Sequence, residues 1–109
     1  MQVVLNFCTG PAAGKRVVLR PSEAATLGRG RGSSVMVPED RLLSGTHFRV
    51  VCSLKECIIE DLDSRNGTAL NGIRISRAVL ADGDRISPRS FYLVEGEISV
   101  VQHLLGCQS

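Results

Sequence analysis

His47-Phe48-Arg49-Val50-Val51-Cys52, then Ser53-Leu54-Lys55-Glu56, then Cys57-Ile58-Ile59-Glu60-Asp61-Leu62 is the stretch that decides the architecture. Two runs rich in Val and Ile flank a short polar connection, which is the pattern of a β-hairpin. Downstream, Ala69-Leu70 and Ile73-Arg74-Ile75 enclose Asn71-Gly72. An Asn-Gly pair between apolar residues signals a second tight hairpin, because both turn positions need positive φ. Upstream, Val3-Val4-Leu5-Asn6-Phe7 predicts a first strand, and the turn-rich residues 9–14 link it to Lys15-Arg16-Val17-Val18-Leu19-Arg20. Ala25-Thr26-Leu27 leads into the glycine-rich Gly28-Arg29-Gly30-Arg31-Gly32-Ser33, after which Val35-Met36-Val37 reads as a short strand closed by Pro38. Asp82-Gly83 supplies a turn before Asp84-Arg85-Ile86-Ser87. Two last strands are predicted at Phe91-Tyr92-Leu93-Val94 and Ile98-Ser99-Val100-Val101. No helical period is sustained anywhere, and many short strands punctuated by Gly, Asn and Asp predict an all-β sandwich.

A chain of 109 residues is the size of one domain with one core. The reading is a single domain over residues 1–105, with 106–109 as a short tail that frays. Thirteen Lys and Arg against eleven Asp and Glu leave a net charge of +2, too little for a surface built to bind nucleic acid regardless of sequence. Any anion recognition is therefore local. Eleven of the thirteen cations are Arg, which suits forked recognition of carboxylate or phosphate and equally reflects base composition.

Cys8, Cys52, Cys57 and Cys107 form no Cys-x-x-Cys pair and have no histidine at ligand spacing, so no metal is expected. Cys52 and Cys57 can face each other across the hairpin, yet buried free thiols are the favoured reading, and with them a reducing, cytoplasmic compartment. The first seven residues lack the basic and apolar regions of a secretion signal, and no apolar run approaches the roughly 20 residues of a membrane span. Asn66-Gly67-Thr68 matches a glycosylation acceptor but means little without such a signal. The Gly28-x-Gly30-x-Gly32 spacing suggests a dinucleotide loop, but the following Ser33–Pro38 segment is too short and too β-branched for the helix that reading requires. No cofactor is expected.

Three groups remain that carry chemistry: Gly28-Arg29, Ser44-Gly45-Thr46-His47 and Ser64-Arg65-Asn66-Gly67-Thr68. Arg29 offers a planar fork for two phosphate oxygens, Ser44 a compact hydroxyl donor, and Arg65 and Asn66 a second cation and an amide. His47 is close to Ser44 in sequence, but no orienting acid or oxyanion motif accompanies them, so an enzyme is not expected.

The order of these groups, with Thr26-Leu27 before the first, Glu60-Asp61-Leu62-Asp63 before the third, and Asn71-Gly72 and Asp82-Gly83-Asp84 after it, resembles that of a forkhead-associated (FHA) domain, a phosphothreonine-binding β-sandwich. The resemblance covers most of the chain. It implies two packed, largely antiparallel sheets with the binding loops at one end, and a phosphopeptide-binding module that mediates phosphorylation-dependent protein–protein interaction in signalling. By that resemblance Arg29 and Ser44 hold the phosphate and Asn66 fixes the ligand backbone. Arg65 stands where the family often places another polar or basic residue, and His47, Gly28 and Gly67 support the loops. The implied partner is a phosphothreonine-containing protein or peptide, with neither nucleic acid nor membrane involved, and the domain is compatible with a place in a longer chain. Two departures stand out. Gly45 occupies a position often held by Asn, Arg or Lys, leaving only a backbone N–H unless Arg31, Arg41 or Arg65 compensates. Pro88-Arg89 replaces a usual tight glycine turn. An FHA-like assembly module that binds partners independently of phosphate is the alternative, and it need not keep Arg29 and Ser44.

Overall fold

Phe48, Val50 and Cys52 of the deciding hairpin are buried while Arg49 and Val51 face solvent, the period-2 alternation of a strand with one wet face. The computed structural model describes residues 2–8, 13–38, 43–87 and 98–103. Eleven strands follow in chain order: β1 Gln2–Phe7, β2 Arg16–Leu19, β3 Ala24–Gly28, β4 Val35–Met36, β5 Phe48–Cys52, β6 Cys57–Asp61, β7 Thr68–Leu70, β8 Ile73–Ile75, β9 Arg77–Val79, β10 Arg85–Ser87 and β11 Ile98–His103.

They form two sheets, ordered β2-β1-β11-β10-β7-β8 and β4-β3-β5-β6-β9. Every pairing is antiparallel except β3 with β4. The inward residues Val3, Leu5, Ile86, Ile98 and Val100 of the first sheet meet Leu27, Phe48, Val50 and Ile59 of the second in one buried cluster. The fold is thus the two-sheet, largely antiparallel β-sandwich expected, and no helix occurs among the described residues.

The Asn71-Gly72 turn has φ of 52° and 83° at its two positions, as the β7–β8 hairpin demands. β9 escapes the pattern reading because three residues bounded by Ser76 and Leu80 show no alternation long enough to register; it exists because its backbone completes the edge of β6. The strand expected at residues 91–94, the departure at Pro88-Arg89 and the proposed tail 106–109 lie outside the described residues.

The expectation of free thiols is corrected. Cys52 and Cys57 are joined in a disulfide with their Cα atoms 4.1 Å apart. They are directly opposed in the β5–β6 register. Their backbone groups bond outward, Cys52 N–H to Glu23 and Cys57 C=O to Leu80 N–H, which is the non-hydrogen-bonded type of pair that brings side chains closest. Cys8 is a free thiol but exposed rather than buried. The inference from free thiols to a reducing compartment therefore loses its footing.

Candidate functional site

Three loops meet at the end of the sandwich opposite the disulfide, and backbone hydrogen bonds lock them together. As β3 ends at Gly28, Arg29 N–H donates to Ser44 C=O (2.9 Å) and Gly30 N–H to Gly45 C=O (3.0 Å). The Ser33 hydroxyl also donates to Gly45 C=O (2.7 Å). This close approach explains Gly28: a Cβ there would collide with the Gly45 carbonyl and come within 2.6 Å of Ser33 Oγ.

His47 ties the Ser44 loop to the loop between β6 and β7. Its ring is fully buried, its Nδ1 accepts from Ser44 N–H (3.0 Å) and its Nε2 lies 2.7 Å from Gly67 C=O. Accepting at Nδ1 leaves the proton on Nε2, which donates to Gly67, so the ring is neutral and both nitrogens are used. It is a brace rather than a base, since it bonds the backbone of Ser44 and not its hydroxyl. Gly67 adopts φ of +81° with its α-carbon facing the Arg74 guanidinium, a conformation that favours glycine.

The β6–β7 loop carries its own internal anchor. Asp61 Oδ1 accepts from the Ser64 hydroxyl and from the Thr68 hydroxyl (2.7 Å), and Oδ2 accepts from Ser64 N–H (3.1 Å). Burial acts to raise the Asp61 pKa. The Ser64 and Thr68 hydroxyls, the Ser64 N–H and the nearby His47 outweigh it, and the carboxyl lies below its ordinary 3.8. Hydrogen bonding to the charged form is what wins. Asp61, Ser33 and Thr68 were not assigned roles by the sequence reading, although the motif contains Asp61. A short polar side chain before a Ser-x-x-x-Thr spacing is the signal of such a loop anchor.

This scaffold brings Arg29, Ser44, Gly45, Arg65 and Asn66 around one cleft of about 640 Å³, with Pro38 and Leu43 as its apolar wall. Ser44 Oγ accepts Arg65 N–H at 2.9 Å. With one lone pair occupied, the hydroxyl retains its hydrogen, which has no acceptor among the described residues. The Arg29 and Arg65 side chains are exposed and make no ion pair with a described residue. Gly45 keeps its N–H without an acceptor among them. Donors of two charges and at least two neutral types thus face one cavity, an arrangement that suits a multivalent anion. Arg31 is exposed in the β3–β4 loop and does not line the cleft; Arg41 lies outside the described residues. Among the described residues no three His, Cys, Asp or Glu side chains group to hold a metal, and no helix is long and apolar enough to cross a membrane.

A family model for the FHA domain matches residues 25–87. Among solved structures, an FHA domain studied for phosphothreonine-dependent interactions is 30% identical over 94% of this chain and 98% of its own, with a TM-score of 0.77. The FHA domain of an Arabidopsis thaliana hypothetical protein is 29% identical over 99% of this chain and 90% of its own, with a TM-score of 0.79. EmbR of Mycobacterium tuberculosis, solved in complex with a low-affinity phosphopeptide, is 25% identical over 92% of this chain and 24% of its own, with a TM-score of 0.73. Comparison with curated protein sequences gave no match.

Proposed function

The chain belongs to the FHA domain family, and from that premise we propose that it is a phosphopeptide-binding module that recognises phosphothreonine on a partner protein and mediates phosphorylation-dependent interaction in signalling. The observation that carries the reading is the pairing of Arg29 with Ser44 on one cleft, with Ser44 Oγ held by Arg65 N–H. A bound phosphothreonine brings about −1.5 to −2 charge and three acceptor oxygens. Arg29 takes two of those oxygens through its fork, and the oriented Ser44 hydroxyl and the Gly45 N–H serve the remainder. Because the loops are tied to one another before ligand arrives, little ordering cost falls on binding.

Asn66 at the cleft edge takes the role of clamping the ligand backbone, and Arg65 supplies a second cation. Gly28, His47 and Gly67 hold the geometry. Pro38 and Leu43 line the same cleft and offer the threonine γ-methyl an apolar wall. Burying one methyl contributes about 0.8 kcal/mol, so selection of threonine over serine by area alone is a few-fold. The reading is of an interaction module and not an enzyme: His47 Nδ1 already accepts Ser44 N–H and cannot serve as a base for that hydroxyl. We take residues 1–105 as the unit that carries this activity.

The test is titration of the protein with degenerate phosphothreonine, phosphoserine and unphosphorylated peptide pools. Phosphothreonine-selective binding that weakens below about pH 6, where the phosphate gains its second proton, supports the proposal. Equal binding of the unphosphorylated pool refutes it in favour of a phosphate-independent assembly module.

A further inference from the structure

Hydrogen bonds order the cationic side chains of the loop end into a row. Ser44 stands at the centre, with Arg29 bonded to it from the β3–β4 loop and Arg65 from the β6–β7 loop. Beyond Arg65 and Asn66 comes Gly67, and over Gly67 lies Arg74: a Cβ at 67 would meet Arg74 Nε at 2.8 Å and Cζ at 3.0 Å. The bare α-carbon of Gly67 is thus the floor on which a guanidinium from β8 rests. Arg74 pairs in register with Ala69 and is exposed, and its side chain forms no ion pair with a described residue. Asp61, the nearest carboxylate of the β6–β7 loop in the network, is consumed by Ser64 and Thr68, which leaves Asp63 as the exposed acid of that loop.

Arg29 and Arg65 line the cleft and are matched by the phosphate; Arg74 lies outside it and is not. We propose that Arg74 reads a carboxylate on the same partner segment, so that the partner carries an aspartate or glutamate beside its phosphothreonine, on the Asn66 side. This deepens the phosphothreonine reading and rests on it. An extended peptide advances about 3.3 Å per residue, and the Arg74 stem reaches from the next loop position over Gly67, so the acidic residue falls within about three residues of the phosphothreonine. The guanidinium fork is preorganised by its contact with Gly67, which lowers the ordering cost of each hydrogen bond it makes. A partially exposed pair of this kind is salt-sensitive.

The experiment uses two phosphothreonine peptides, one with glutamate at the three positions on each side and one with glutamine there, plus the unphosphorylated glutamate peptide. They are titrated into wild type, Arg74→Ala, Arg74→Lys and Arg74→Glu at low salt. The wild type is expected to prefer the glutamate peptide about threefold, Arg74→Ala to lose the preference, Arg74→Lys to keep part of it and Arg74→Glu to reverse it. Circular dichroism, and retained affinity for the glutamine phosphopeptide, separate loss of selectivity from loss of fold. Phosphate-dependent binding with no preference, or with a preference that survives Arg74→Ala, overturns the assignment of Arg74 while leaving the phosphothreonine site standing. Absence of any phosphate-dependent binding overturns both.

Discussion

Removing one oxygen atom, in Ser44→Ala, separates the binding role of the loop from its structural role. In the wild type Ser44 Oγ accepts Arg65 N–H at 2.9 Å and, on the proposed mechanism, donates its hydrogen to the phosphate. The hydroxyl-to-phosphate bond is charge-assisted and contributes about 1.5–3 kcal/mol, which corresponds to about a 10- to 150-fold loss of phosphopeptide affinity. The fold should suffer far less. Arg65 is exposed, so water replaces the lost acceptor, while the brace from Ser44 N–H to His47 uses backbone and survives. A loss of about 1 kcal/mol in stability is expected, or roughly 5 °C in Tm for a domain of this size. Isothermal titration with a phosphothreonine peptide and thermal denaturation of the same samples read the two effects independently. Affinity within about threefold of wild type, with the fold intact, would refute the assignment of Ser44 as a phosphate donor.

Gly45→Asn is expected to strengthen binding. A Cβ at 45 meets nothing within 4 Å and the backbone there lies outside the left-handed region, so a new amide donor adds about 0.5–1.5 kcal/mol, or two- to tenfold in Kd; unchanged or weaker affinity counts against the placement of Gly45 at the phosphate. Asp61 has a lowered pKa, so its contribution to stability is complete above its unfolded value and is lost as pH falls through the folded one. Wild type should therefore be more stable than Asp61→Asn at pH 7, with the gap in denaturant midpoint narrowing below about pH 3.8; a constant gap contradicts the hydrogen-bond network. The Cys52–Cys57 disulfide spans a sequence separation of five, for which the chain-entropy estimate is about 2 kcal/mol. Protein reduced while unfolded and refolded in reductant should melt about 10 °C lower than oxidised protein, and identical melting of the two would show the bond is not a staple.

The sandwich was legible because its strands alternate and its turns carry Gly and Asn where the backbone needs them. Asn71-Gly72 named its own hairpin, and Phe48 to Cys52 displayed its buried face in sequence. β9 was not legible: three residues hold no period, and their strand character comes from pairing with β6. The disulfide was open to both readings because sequence separation shows that two cysteines can meet but not whether register sets them opposite one another. Arg29, Ser44 and Asn66 stood out by their order along the chain, and the loops that carry them converge through backbone hydrogen bonds that no side-chain pattern reveals. Arg74 was hidden for a related reason. It looks like an ordinary outward strand residue until the Asn-Gly turn folds β8 back and lays its guanidinium on Gly67.

The central claim is that Arg29 and Ser44 form a preorganised phosphate site, and the most direct test is titration of one phosphothreonine peptide, and its unphosphorylated form, into wild type and Arg29→Ala. Arg29 is exposed and held by its backbone to Ser44 C=O, so truncating its side chain should leave the circular dichroism spectrum and Tm near those of wild type. Losing a bidentate charge-assisted contact should weaken phosphopeptide binding by at least about a hundredfold. A folded Arg29→Ala protein that binds the phosphopeptide as tightly as wild type would contradict the account.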